Sequence, residues 1–385
     1  MTDLALRTAP TRTEGRLPAL LGYAAVRALG LLALALVSGA RGADPRTLLS
    51  ARWDSLWYTR VAELGYGYEV RLPNGDVHSD LAFFPLLPWL ERLGAALTPL
   101  SSADTGLLVS ALASLAAAAG IHAVTAHVYG DRAALYAVLL WAVLPVGIVQ
   151  SMAYSESLFT ALAAWSLYAV LTGRWVGAGV LALLAGLTRP VGLAVVAAVW
   201  AAAVREHLRE RREAGAGLRA GAARLLGVVL APLGTAGYVL WVGHRTGGGL
   251  FGYLDVQAGW RNGFDGGYAF ARFVGAKFAS FPSALAGLGL LAGVALVVWL
   301  CVTCVRQCQP LPLLVYAGAV TALALCASSY FGSKPRLLLP AFPLLLPLAR
   351  ALAGWRPRRS AAVLGVVAVA SAVYGAVWLN GSGPP

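Results

Sequence analysis

The chain has 385 residues, of which 59% are hydrophobic and only 12% charged, with a formal net charge of +13. Ordinary globular domains are about 45–50% apolar and about 25% charged, so this composition excludes a soluble enzyme, a disordered chain and a nucleic-acid-binding module. At about 20 apolar residues per crossing, the apolar content sets a ceiling near ~11 membrane spans.

Arg7, Arg12 and Arg16 precede the first charge-poor window, 17–39, which Arg27 interrupts. A cleaved leader is one reading; the internal arginine favours a retained first span. A polar stretch, 40–80, follows with six acids: Asp44, Asp54, Glu63, Glu69, Asp76 and Asp80. Residues 81–100 are apolar but broken by Pro85, Pro88, Glu91 and Arg92, a pattern that suits a helix lying at the interface. Further spans are expected at 105–128, 133–150, 157–173, 225–243, 284–305, 311–330, 337–352 and 361–379.

The window 175–204 carries one charge, Arg189, followed at once by Pro190. It is too long for one ordinary crossing and reads as two half-spans turning at Thr188-Arg189-Pro190. Irregular backbone at that depth needs protein or a wet cavity around it. The competing arrangement lets 81–100 cross and makes 175–204 one kinked helix. Arg132 and Arg174, in short loops, place the balance of basic residues inside only for the turned pair.

The expected fold is therefore an all-α, polytopic integral membrane protein with about 11 crossings, a single membrane domain over 1–385. It has a cytoplasmic N-terminus, a first extracytoplasmic loop at 40–104 with interfacial helices, a basic cytoplasmic loop at 204–224 and a second large extracytoplasmic loop at 244–283. Lysine is nearly absent (Lys277 and Lys334 only), a composition that suggests the plasma membrane of a bacterium.

Several motifs carry little. Cys301, Cys304 and Cys308 share one face of a span, but no fourth ligand or polar surround accompanies them, so they read as packing residues. His122 and His127 fall on different faces of an apolar helix. The run Gly247 to Gly252 follows no strand and is a flexible loop, not a dinucleotide fingerprint.

The informative residues gather on the outer face. The first loop contains R-W-D-S-L-W-Y (Arg52 to Tyr58), G-Y-G-Y (Gly65 to Tyr68) and F-F-P-L-L-P (Phe83 to Pro88). Interfacial preference alone accounts for its Trp and Tyr residues. Asp54 differs: among aromatics it reads either as an interfacial carboxylate paired with Arg52 or as a base whose dry surroundings tune it. Glu156 in A-Y-S-E-S-L-F, Arg189 in L-T-R-P, and Lys334 and Arg336 in S-K-P-R-L-L-L-P-A-F-P fall at the same face. Rim charges are costly and are functional candidates by default. Carboxylates and arginines around one outer cavity suit a reaction on a phosphorylated lipid.

These runs, with Y-L-D-V-Q-A-G-W-R (Tyr253 to Arg261), resemble the PIG-V-type mannosyltransferases, which are related to GPI mannosyltransferase II and belong to the GT-C class of polytopic glycosyltransferases. The resemblance covers about residues 50–345. It implies inverting transfer of mannose from polyprenyl-phosphate-mannose to an extracytoplasmic lipid- or glycan-linked acceptor, with Asp54 as catalytic base. Arg52, Trp53, Tyr58, Phe84, Glu156, Arg189, Gln257, Trp260, Arg261, Lys334 and Arg336 are the candidate substrate-binding residues. Where the family often has a small residue or Asn after T-R, this chain has Pro190 and Val191. No cofactor is required; a divalent metal near Asp54 and Glu156 is compatible with the spacing. The competing class is a transporter or flippase of a lipid-linked sugar, which would also use rim arginines and a broken helix.

Overall fold

The computed structural model describes residues 15–213, 218–328 and 330–383; Arg7 and Arg12 lie outside the described residues. α1 (Arg16–Ala40) is followed by α2 (Pro45–Ser50), whose N-terminus is capped by the Asp44 carboxylate through the Arg46 and Thr47 amides. α3 (Asp54–Leu64) leads into a hairpin of β1 (Glu69–Arg71) and β2 (Val77–Ser79), in register Val70 opposite His78. α4 (Leu86–Leu97) buries Leu87, Pro88 and Glu91 while exposing Trp89, Leu93 and Leu97 at helical spacing. One apolar stripe thus faces outward and the opposite face is buried.

α5 (Ser102–Tyr129) packs along α6 (Asp131–Ala142) and α7 (Ser155–Leu171). The expected span 133–150 ends early: after Ala142 the chain turns at Pro145 into a 3-10 segment, Gly147–Ser151, and then extends to Tyr154. Proline removes the amide that would continue the helix, which is why hydropathy overestimated its length. α8 (Trp175–Gly186) and α9 (Gly192–Glu213) form the turned pair around Arg189, and α9 runs on into the basic 204–224 segment. There Glu210 meets Arg224 at 2.6 Å, on α10 (Leu218–Leu230). α11 (Leu233–Thr246) follows after Pro232.

Close packing among these helices depends on glycine. A Cβ at Gly227 would lie 2.3 Å from the Trp175 carbonyl, and one at Gly234 would lie 1.9 Å from that of Leu183. Small residues let backbones approach this closely where lipid supplies no hydrophobic drive between helices.

The segment 244–283 holds α12 (Gly252–Gly259), β3 (Gly263–Phe264) and α13 (Tyr268–Ala276). α14 (Ser283–Arg306) and α15 (Leu311–Cys326) come next, and β4 (Ala327–Ser328) pairs with β3. The expected span 337–352 is broken. α16 (Lys334–Leu337) is followed by a turn and a 3-10 piece leading into α17 (Leu346–Gly354), with a 75° bend at the break. Pro340, Pro343 and Pro347 make a continuous helix impossible there. α18 (Pro357–Leu379) returns against α1.

Among the described residues five helices are long and apolar enough to cross a membrane, and a sixth if the bent pair counts as one span; three shorter apolar helices lie among them. The chain is thus a multi-pass membrane protein. Its main core joins Tyr23, Trp141, Met152, Tyr154, Phe159, Tyr316 and Phe342. Arg27, inside α1, donates to the carbonyls of Ala142 and Gly147. It thereby takes up two acceptors that the end of α6 and the turn after it leave open.

Candidate active site

Two helix N-termini point their open amide ends at one region. Asp54 is the first residue of α3, and Ser155 and Glu156 open α7. Carboxylates are favoured at such ends by the helix dipole. Trp53, which precedes Asp54, holds φ 53° and ψ −125°, a backbone region costing about 1–3 kcal/mol. The strain is held by packing of Trp53 against the core and by the Arg52 guanidinium over its ring at 4.1 Å.

From α16, Arg336 reaches both carboxylates. Its Nη1 lies 2.7 Å from Asp54 Oδ2, and its Nε lies 3.3 Å from Glu156 Oε1. Arg189, in the turn between α8 and α9, approaches Glu156 Oε1 at 2.6 Å and donates to Ser155 Oγ at 3.1 Å. The order Asp54–Arg336–Glu156–Arg189 alternates charge and balances it. The Glu156 side chain is 1% exposed and that of Asp54 is 26% exposed, so Asp54 is the carboxylate within reach of a substrate.

Neutral groups complete the wall. Tyr58 and Ser155 share a hydrogen bond of 2.7 Å, and Tyr154 accepts the Asp54 amide at 3.4 Å while its ring lies under Arg336. Burial pushes the Tyr58 phenol well up, against the opposing pull of Arg189, so it stays protonated. Tyr154 and Ser155 lie inside the A-Y-S-E-S-L-F run but were not singled out by sequence; only their adjacency to Glu156 marked them.

Other candidates stand elsewhere. Arg52 does not pair with Asp54: it donates to the carbonyls of Leu379 and Gly381, closing the end of α18. Phe84 is 1% exposed and packs on Tyr238 and Tyr253 in a small second core with Leu81 and Val242. Trp260 and Arg261 clamp the segment 244–283 to the segment 40–104, while Gln257 ties the former to itself. Gln257 bonds Tyr253 and Asn262, the Trp260 indole donates to Ser79 O at 3.0 Å, and Arg261 pairs with Asp76 at 2.6 Å. Through the contact of Trp260 with Trp57, 5.0 Å between rings, this clamp touches α3.

Lys334 donates to the carbonyls of Ala324 and Ala327 at 2.8 and 2.6 Å, with its ammonium over Phe270. It borders an apolar groove of about 440 Å³ lined by Phe270, Val274, Phe278, Leu291, Val294 and Leu325. On α16, then, Lys334 neighbours the groove residue Phe270 and Arg336 reaches the charged quartet. Arginines lie against one oxygen of each carboxylate, Asp54 Oδ2 and Glu156 Oε1, and among the described residues no group of three His, Cys, Asp or Glu could hold a metal ion.

The fold and this site together define a GT-C-like polytopic membrane protein. ArnT from Cupriavidus metallidurans in the apo state superposes with a TM-score of 0.50 at 19% identity, covering 78% of this chain and 54% of that one. The same protein bound to undecaprenyl phosphate gives 0.50 at 19%, covering 80% and 57%. The oligosaccharyltransferase of Archaeoglobus fulgidus in the apo form gives 0.50 at 15%, covering 94% and 56%. At such identities the likeness is one of fold.

Residues 44–233 match the family described as Mannosyltransferase (PIG-V). Over 156 residues the chain is 33% identical to GPI alpha-1,6-mannosyltransferase 2 of Cricetulus griseus, a match spanning 38% of this chain and 30% of that one.

Proposed function

We propose that the chain is an inverting mannosyltransferase that moves mannose from polyprenyl-phosphate-mannose to an extracytoplasmic, lipid- or glycan-linked acceptor. The observation that carries this reading is the alternating quartet with one reachable carboxylate, Asp54, held beside a buried arginine. Three of its four members lie within the family-matched segment. The fold shared with a protein bound to undecaprenyl phosphate supports a lipid-phosphate donor.

In this mechanism Asp54 takes the proton of the acceptor hydroxyl as its oxygen attacks the anomeric carbon. The bond from that carbon to the phosphate oxygen breaks, and polyprenyl phosphate leaves with the electron pair. Positioned general-base catalysis contributes about 10²–10⁴-fold. Arg336, with Arg189 behind it, stabilises the charge that grows on the phosphate. The apolar groove beyond α16 takes the first isoprene units of the donor, which places the phosphate beside α16. All four charged residues sit at helix ends and turns, not midway along a span, and this favours a reaction at one face over translocation. The reading includes a bacterial plasma membrane, with the N-terminus cytoplasmic and the site outside.

The test is purified protein supplied with radiolabelled polyprenyl-phosphate-mannose and a panel of acceptors. Asp54→Asn is expected to lower transfer by about 10²-fold or more while the protein still inserts. Near-wild-type transfer by that variant removes Asp54 from the mechanism. Donor loss without a mannosylated product indicates hydrolysis or transport.

A further inference from the structure

Gln150 sits at the end of the 3-10 segment between α6 and α7, and is fully buried. Its bonds go to backbone and to the first span rather than to the charged quartet. Oε1 accepts the Tyr23 hydroxyl at 2.9 Å, Nε2 donates to the Trp141 carbonyl at 2.8 Å, and its own carbonyl accepts Ser157 Oγ at 3.2 Å. Each bond leads toward the site. Ser157 is the neighbour of Glu156. Trp141 donates its indole N–H to the Leu339 carbonyl at 3.1 Å, in the break just after Arg336. Tyr23 stacks on Trp141 at 5.4 Å, locking the same junction from α1.

We propose that Gln150 is a positioning residue for the quartet. It ties the start of α7, which presents Glu156, to the turn that presents Arg336, so that one carboxylate and one guanidinium meet across two broken helices. Two properties support this. Both segments lack continuous helical hydrogen bonding, at 143–154 and at 338–341, so something other than the helix must fix them. The Gln150 side-chain amide is held between Tyr23 on α1 and the Trp141 carbonyl on α6, which leaves it one rotamer and one orientation and thereby fixes the main-chain carbonyl that Ser157 of α7 bonds. The kinetic consequence rests on the reading in the preceding subsection; the structural one does not.

The experiment uses the full chain in detergent, comparing wild type with Gln150→Met, Tyr23→Phe and the double variant. Hydrogen exchange read by mass spectrometry should quicken in Gln150→Met over both 154–157 and 336–341, with α11 unchanged. Exchange that quickens everywhere, or in only one of the two segments, overturns the proposal.

In transfer assays, kcat of Gln150→Met is expected to fall by about 10²-fold, the scale of an ångström-sized misplacement, with acceptor KM unchanged. Tyr23→Phe should fall less, and the double variant should match Gln150→Met alone, because the two act through one junction. Multiplying losses, or a kcat within about two-fold of wild type for protein with the expected exchange pattern, also overturn it. If wild-type protein transfers nothing from polyprenyl-phosphate-mannose, the donor assignment fails, and the exchange measurement alone decides the positioning role.

Discussion

Glu156 carries more of the site than any other side chain. It is sealed from solvent and faces two guanidiniums, Arg189 and Arg336. Removing one partner of a buried pair leaves an uncompensated charge, at about 3–5 kcal/mol. Glu156→Ala should therefore lower the thermal midpoint of the purified protein sharply, and scanning fluorimetry in detergent reads it. Asp54→Asn, at a more open position with Arg336 still paired to Glu156, should lower it much less. Shared sidedness drew these residues together in the sequence, because each is a charge at a span end on one face. What sidedness could not supply was the pairing. Arg52 is two residues from Asp54, yet the partner is Arg336, 282 residues away. A local pair is the natural reading of a linear pattern, and here the end of α18 claims Arg52 instead.

α4 shows what an element can hide. Glu91 points inward with neither carboxylate oxygen partnered, and burial, with Glu63 adding to it, pushes its carboxyl up from 4.5 to about 9. The folded protein then holds a proton that the unfolded chain releases. Stability is full below 4.5, falls as pH rises toward about 9, and is level beyond. The slope is at most about 1.4 kcal/mol per pH unit. Glu91→Gln should flatten this dependence and raise the thermal midpoint at mildly alkaline pH, measured as a midpoint series across buffers. An equal slope in the variant assigns the effect to another group. Charge-free windows located α1, α5, α14 and α18 well, since a long apolar run has little choice but to be a span. They also caught the turn at Arg189, where charge and proline coincide. They missed the breaks after Ala142 and Leu337, because hydropathy averages over prolines whose effect is on backbone hydrogen bonds. Those breaks are where the site is built.

At the scale of the whole molecule, sidedness is the testable property. In a cysteine-free background, Arg261→Cys should react with a membrane-impermeant maleimide in intact cells, and Arg211→Cys only after permeabilisation. The reverse pattern would put the quartet on the cytoplasmic face and remove an extracytoplasmic donor from consideration. The two ends of the fold also meet: Asn380 bonds Ser38 at 3.0 Å, and Arg52 reaches the last turn of α18. This closure has a consequence for biogenesis. Asp54, Glu156 and Arg189 enter the bilayer well before residue 336 is synthesised, so the nascent chain passes through a stage in which the site lacks its central cation. Helices α1 to α15 can be inserted while the quartet is still incomplete. The quartet closes only when the late, proline-broken pair docks, so the last third of the chain completes what the first half begins.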